Sequence, residues 1–138
     1  MEFYYSEEKN VQIIIALLKA NKIKKVIASP GTTNVCLVES MRYDGDFEMY
    51  SSVDERSAAY MACGMAAESG EPVVLTCTGA TASRNYMPGL TEAYYRKLPI
   101  IAITATLHLS LIHISGAGKC YLYLWKWRKC INSFSFCL

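Results

Sequence analysis

Four short apolar runs, at positions 25–28, 47–52, 73–77 and 99–105, alternate along the chain with stretches whose apolar residues recur at helical spacing. Each run is as long as a buried strand. Strands separated by helices lie parallel, because every crossover returns the chain to the same end of the sheet. A parallel sheet must also be covered on both faces. The expectation is therefore an α/β domain: four buried parallel strands flanked by helices on both faces.

The intervening segments carry helix punctuation. Ser6 precedes Glu7 and Glu8, so it reads as an N-cap for a helix that runs to about Asn21 and buries Val11, Ile14, Ile15 and Leu18. Ser29-Pro30-Gly31 reads as a turn and 35–41 as a second helix. Asp54 can cap a third helix ending at Ser69, with Gly70 as its stop. Ala59, Ala62, Cys63, Ala66 and Ala67 give that helix a thin, closely packing face. A glycine-containing loop at 78–81 then leads to a helix over 85–95, which Pro88-Gly89 interrupts early.

The 138 residues suffice for one domain, and the absence of a long apolar run or a signal-peptide pattern at the start favours a soluble, cytoplasmic chain with no membrane partner. The net charge of +2 averages two unlike pieces. Residues 1–108 hold ten Lys/Arg against all twelve Asp/Glu, whereas 109–138 hold four bases, no acid, both tryptophans and three of the six cysteines. The segment 109–115, Leu-Ser-Leu-Ile-His-Ile-Ser, resembles a translated sequencing adaptor. The expected division is a partial domain over 1–108 and a non-native tail over 109–138. The tail's aromatics interleaved with bases over 119–129 would otherwise suit nucleic acid or a membrane interface. The composition break favours neither partner. Cys36, Cys63 and Cys77 each sit in apolar surroundings and are expected to be buried. With no CxxC and no Cys/His cluster, no metal site is expected.

In parallel sheets, ligands bind beyond the carboxyl ends of the strands, which selects the loops at 29–34, 53–56 and 78–85. The first could meet an anion through hydroxyls and backbone N–H groups, or serve only as a turn and cap. Neither GxGxxG nor GxxxxGK[ST] occurs, so the common dinucleotide and P-loop signatures are absent. Glu55 opens a helix directly after a strand, as an ordinary first-turn acid or as a reactive carboxyl.

The run Val53-Asp54-Glu55-Arg56-Ser57-Ala58-Ala59-Tyr60, the Gly-containing helix after it, Pro72-Val73-Val74-Leu75-Thr76-Cys77-Thr78-Gly79-Ala80, Asn85-Tyr86 and Leu98-Pro99-Ile100-Ile101 together resemble the pyrimidine-binding (N-terminal) domain of thiamine diphosphate enzymes. The resemblance spans about 8–106. With Ser29-Pro30-Gly31 it is most similar to the menaquinone-pathway (SEPHCHC) synthases, and more broadly to acetolactate synthase and 2-oxo acid decarboxylases.

This resemblance implies a thiamine diphosphate-binding fold and an enzyme that decarboxylates or condenses a 2-oxo acid. Glu55 matches the family's catalytic glutamate, which hydrogen-bonds N1′ of the aminopyrimidine in an apolar site where burial favours the protonated form. Thr78, Gly79 and Ala80 match the loop that approaches the cofactor, with Asn85 positioning it, and Thr32, Thr33 and Asn34 fall on the substrate side. Two departures point to a different donor or acceptor: Thr33 stands where those synthases carry an arginine, and Thr104-Ala105 is followed by Thr106-Leu107-His108 where they continue with Asp-Arg-Pro. The Gly-Asp-Gly motif that holds Mg²⁺ and the diphosphate is missing, so the chain supplies half a site and is expected to be inactive alone. The other half would come from a homodimer or homotetramer of a longer enzyme, or from a separate diphosphate-domain subunit of a split decarboxylase. A non-catalytic α/β binding module is the remaining alternative.

Overall fold

The computed structural model describes residues 6–79 and 81–105, together with the backbone of 120 and 121. The elements run α1 (Lys9–Ala20), β1 (Lys25–Ala28), α2 (Val35–Tyr43), β2 (Glu48–Ser51), α3 (Glu55–Ser69), β3 (Val73–Thr78), α4 (Thr81–Asn85), α5 (Met87–Arg96), β4 (Ile100–Ala105) and β5 (Cys120–Tyr121). The sheet order is β2-β1-β3-β4-β5. The first four strands are parallel, with Ala28 level with both Ser51 and Thr76, and Thr78 level with Ala105. The two-residue β5 pairs antiparallel with the end of β4. That strand falls in the 109–138 segment, the rest of which lies outside the described residues.

Strand alternation divides the core into two layers. Ile27, Val73, Leu75, Cys77, Ile100 and Ala102 face α3, α4 and α5. Val26, Val74 and Ile103 face α1 and α2, where they meet Val11, Ile15, Leu37 and Met41. Both faces are thus covered, as a parallel sheet requires. Small residues on α3 let α5 approach so closely that the Cys63 thiol donates to the Gly89 carbonyl oxygen at 3.2 Å. Among the described residues, no helix is long and apolar enough to cross a membrane.

Several expectations need correction. The second strand is an edge among the described residues, with none of its four residues buried, because no described strand pairs with its far side. Cys36 is exposed, unlike the buried Cys63 and Cys77, because α2 turns Leu37, Val38 and Met41 inward instead. Ser6 is not the N-cap of α1. Glu8 occupies that position without a side-chain bond, while Ser6 Oγ accepts from the Glu8 amide and the Ser6 amide donates to Ser40 Oγ. Pro88 does not interrupt a helix; it lies in the first turn of α5, where a missing N–H costs nothing. The segment before it is already helical as α4. By contrast, Asp54 caps α3, and Gly70 ends it with φ +68°.

Candidate functional site

The chain leaves β1 toward β2 on one side and later returns to place β3 on the other. The carboxyl ends of β1 and β3 therefore flank the point where the connections diverge, and a crevice opens there in such sheets. The loops after β1 and β3 meet the last residue of β4 at this end.

Asn34 organises the first of them. Its side chain is fully buried, with Oδ1 accepting from the Gly31 amide at 2.8 Å and Nδ2 donating to the Ser29 carbonyl at 3.1 Å. A longer contact of 3.5 Å reaches Thr76 Oγ1 on β3. Gly31 lies directly against the Thr78 side chain, where any Cβ would collide with Thr78 Cγ2. At the end of β4, the Ala105 carbonyl accepts from Thr33 Oγ1 and from the Gly79 amide, each at 2.7 Å. One acceptor thereby fastens the β1 and β3 loops together.

Glu55 is the first residue of α3, at the positive end of the helix. Its predecessor Asp54 accepts from the Ser57 amide at 2.7 Å and from Ser57 Oγ at 2.6 Å, which fixes how the chain enters the helix. Asn85, the last residue of α4, donates from Nδ2 to Glu55 Oε2 at 3.1 Å. Both side chains are partly buried. Among the described residues the expected enclosure of Glu55 is thus incomplete, and none of them bonds its Oε1.

The Ser57 hydroxyl, then the Ser57 amide, hold the exposed Asp54 carboxyl below its ordinary value of 3.8. A depressed folded-state value means that the cap's contribution is fully present above the unfolded value and lost as pH falls through the folded one. We expect the Ser57 amide resonance to hold steady from neutral pH down to about pH 4 and to move only below it. In Asp54→Asn this acid transition should vanish, as a pH series of amide spectra would check.

Beneath the loops lies a buried polar group with no assigned role. Tyr86, at the junction of α4 and α5, is 1% exposed, and among the described residues its hydroxyl has no well-formed hydrogen bond, nor has Ser29 Oγ. Ser29 and Cys77 nevertheless lie close to the phenol, and burial pushes its pKa well above the usual range. Burial likewise pushes the Cys77 thiol up to about 11, while its Sγ donates to the Thr78 carbonyl.

The fold brings Glu55 and Asn85 into direct contact, and it ties Thr33, Thr78 and Gly79 together around Gly31 and Ala105. Thr32 is exposed on the same loop, whereas Asn34 is spent on internal bonds. Ala80 lies outside the described residues. The sequence reading missed Gly31 and the Ala105 carbonyl. Gly31 could have been suspected from its place between a proline and two threonines; a backbone acceptor leaves no sequence signal.

Fold and site define an α/β domain built on a parallel sheet, whose loops meet at a topological switch. The chain matches, over residues 9–121, the family described as thiamine pyrophosphate enzyme, N-terminal TPP binding domain, and it belongs to that family. It is 43% identical over 105 residues to the 2-succinyl-5-enolpyruvyl-6-hydroxy-3-cyclohexene-1-carboxylate synthase of Porphyromonas gingivalis, covering 76% of this chain and 18% of that protein. With the synthase of the same name from Bacteroides fragilis it shares 41% over 101 residues, or 73% of this chain and 18% of that one. The chain thus spans about a fifth of the length of these relatives. A thiamin diphosphate-dependent enzyme from Mycobacterium smegmatis superposes with a TM-score of 0.67 at 25% identity, over 76% of this chain and 20% of that one. A 4-hydroxybenzoylformate decarboxylase from Rhodococcus jostii shares the fold at TM-score 0.66 and 22% identity, over 78% of this chain and 21% of the other.

Proposed function

We propose that this chain forms the pyrimidine-side wall of a thiamine diphosphate site in an enzyme that decarboxylates or condenses a 2-oxo acid, with Glu55 as the carboxyl that hydrogen-bonds N1′ of the aminopyrimidine. The observation that carries this reading is Glu55 itself: a carboxylate at a helix start, fixed through Oε2 by Asn85 and left without a described partner on Oε1. The loops at the same end of the sheet support a flat ligand. Gly79 presents no side chain, the Gly31–Thr78 contact keeps the two loops close, and the Ala105 carbonyl holds Gly79 in place.

When bound, thiamine diphosphate supplies a thiazolium carbon that can attack the carbonyl of a 2-oxo acid. The protein's task on this side is to orient the aminopyrimidine and to exchange a proton at N1′ through Glu55. Thr32 is the open side chain on the substrate loop, with Thr33 and Asn34 shaping the loop from within. Mg²⁺ and the diphosphate would be held by a second domain, in a homodimer, a homotetramer or a separate subunit. Among the described residues, no acidic or Cys/His cluster could hold a metal ion.

The test is to combine the chain with thiamine diphosphate, Mg²⁺ and a diphosphate-domain partner, and to measure carbon dioxide release from 2-oxo acids. Glu55→Gln should lower turnover about a hundredfold or more. Near-normal turnover in that variant would overturn the assignment.

A further inference from the structure

We infer that Asn85 is a positioning residue that decides which oxygen of Glu55 meets the ligand, reserving Oε1 for the ring nitrogen of an aminopyrimidine. This rests on the reading of Glu55 given above and adds a second residue to it. A carboxyl group has two chemically equivalent oxygens, and in the neutral form either can carry the proton. An amide N–H directed at one of them removes that equivalence. Asn85 Nδ2 donates to Oε2 at 3.1 Å, so Oε2 must remain an acceptor and a proton on Glu55 belongs on Oε1.

The bond is tertiary and well anchored. It joins side chains 30 positions apart, one at the first residue of α3 and the other at the last residue of α4. The Asp54 cap fixes the first end. The second end is fixed by Tyr86, whose buried ring follows Asn85 directly and belongs to the core cluster containing Ala59 and Ala82. Both partners are thus held from below by the packing between α3, α4 and α5. An asparagine suits the task, because its short two-torsion side chain orients a donor at little entropic cost. Asparagine's nearly isosteric acid would instead face Glu55 with a second carboxylate.

The experiment follows the Asn85 side-chain amide protons by NMR in the whole chain, then titrates in 4-amino-5-hydroxymethyl-2-methylpyrimidine and its analogue with CH in place of the ring nitrogen N1. In the unsubstituted chain, the Asn85 NH₂ should exchange slowly with solvent, and this protection should disappear in Glu55→Ala. The aminopyrimidine should bind more tightly than its CH analogue. Asn85→Asp and Asn85→Ala should weaken aminopyrimidine binding about tenfold and remove most of the discrimination, while leaving the CH analogue's affinity unchanged. A merely structural role would weaken both ligands alike. Unchanged amide resonances in α1 and α2 verify that the variants are folded. If Asn85 NH₂ exchanges as a free amide, or if both Asn85 variants keep full discrimination, the positioning role is overturned while the Glu55 reading stands. Failure of the unsubstituted chain to distinguish the two ligands would instead overturn the Glu55 reading, and this role with it.

Discussion

Asn34→Ala should destabilise the chain by about 2–3 kcal/mol, because it strands one buried and one partly buried backbone group at once. The Gly31 N–H loses its acceptor and the Ser29 carbonyl loses its donor, at a position with no exposure to water. Asn34→Asp should be worse at neutral pH. It keeps the acceptor for Gly31 but points a buried carboxylate at the Ser29 carbonyl, where no counter-charge is found among the described contacts. Thr32→Ala, on the exposed part of the same loop, should change stability by no more than about 0.5 kcal/mol. Urea unfolding of the three variants checks the ordering. Equal midpoints for Asn34→Ala and the unsubstituted chain would mean that water replaces the asparagine amide, and that this side chain does not hold the loop.

Gly89→Ala should cost about 1–3 kcal/mol despite replacing glycine with a better helix former. A Cβ at this position would stand 2.5 Å from Ala59 Cβ and 3.0 Å from the Ala59 carbonyl carbon. The second contact is backbone and cannot rotate away, so α5 must move off α3. Alanine's greater helix propensity recovers at most about 1 kcal/mol, and less near a helix start. Combining Gly89→Ala with Ala59→Gly removes the first clash, so the double variant should be more stable than the sum of the two single effects. Strict additivity in denaturant unfolding would show that the helices do not touch here. A functional consequence also follows, since Ala59 sits one turn beyond Glu55 on α3. Displacing α3 from α5 should lengthen the Asn85–Glu55 bond and expose the Asn85 amide to exchange.

Much of the architecture was readable from local chemistry. Apolar runs of strand length between amphipathic stretches imposed a covered parallel sheet, and Asp54 and Gly70 marked the ends of α3 by rules that act within a single turn. The rule that ligands bind beyond strand ends placed Glu55, Thr78, Gly79 and Asn85 on candidate loops, but only their resemblance to a family gave them roles. Composition and spacing alone left Glu55 open between a first-turn acid and a reactive carboxyl.

Where local rules failed, a tertiary contact had intervened. Ser6 has the chemistry of an N-cap, yet its amide is held by Ser40 on α2, and α1 begins later. Cys36 has apolar neighbours, but the face that α2 presents to the sheet is set by Leu37 and Met41. Thr33 and Asn34 read equally well as ligand-facing groups. What turned Thr33 inward was the Ala105 carbonyl, 72 positions away, and what buried Asn34 was the need to satisfy backbone polar groups between adjacent strand ends. The sequence alone determined β1, β3 and β4, their two-sided burial and both ends of α3, because these depend on side-chain periodicity and on hydrogen bonds within a turn. Which hydroxyl faces the crevice, and which amide holds the Glu55 carboxylate, was decided only when distant loops met at the end of the sheet, since a long-range hydrogen bond leaves no periodic trace in the chain that forms it.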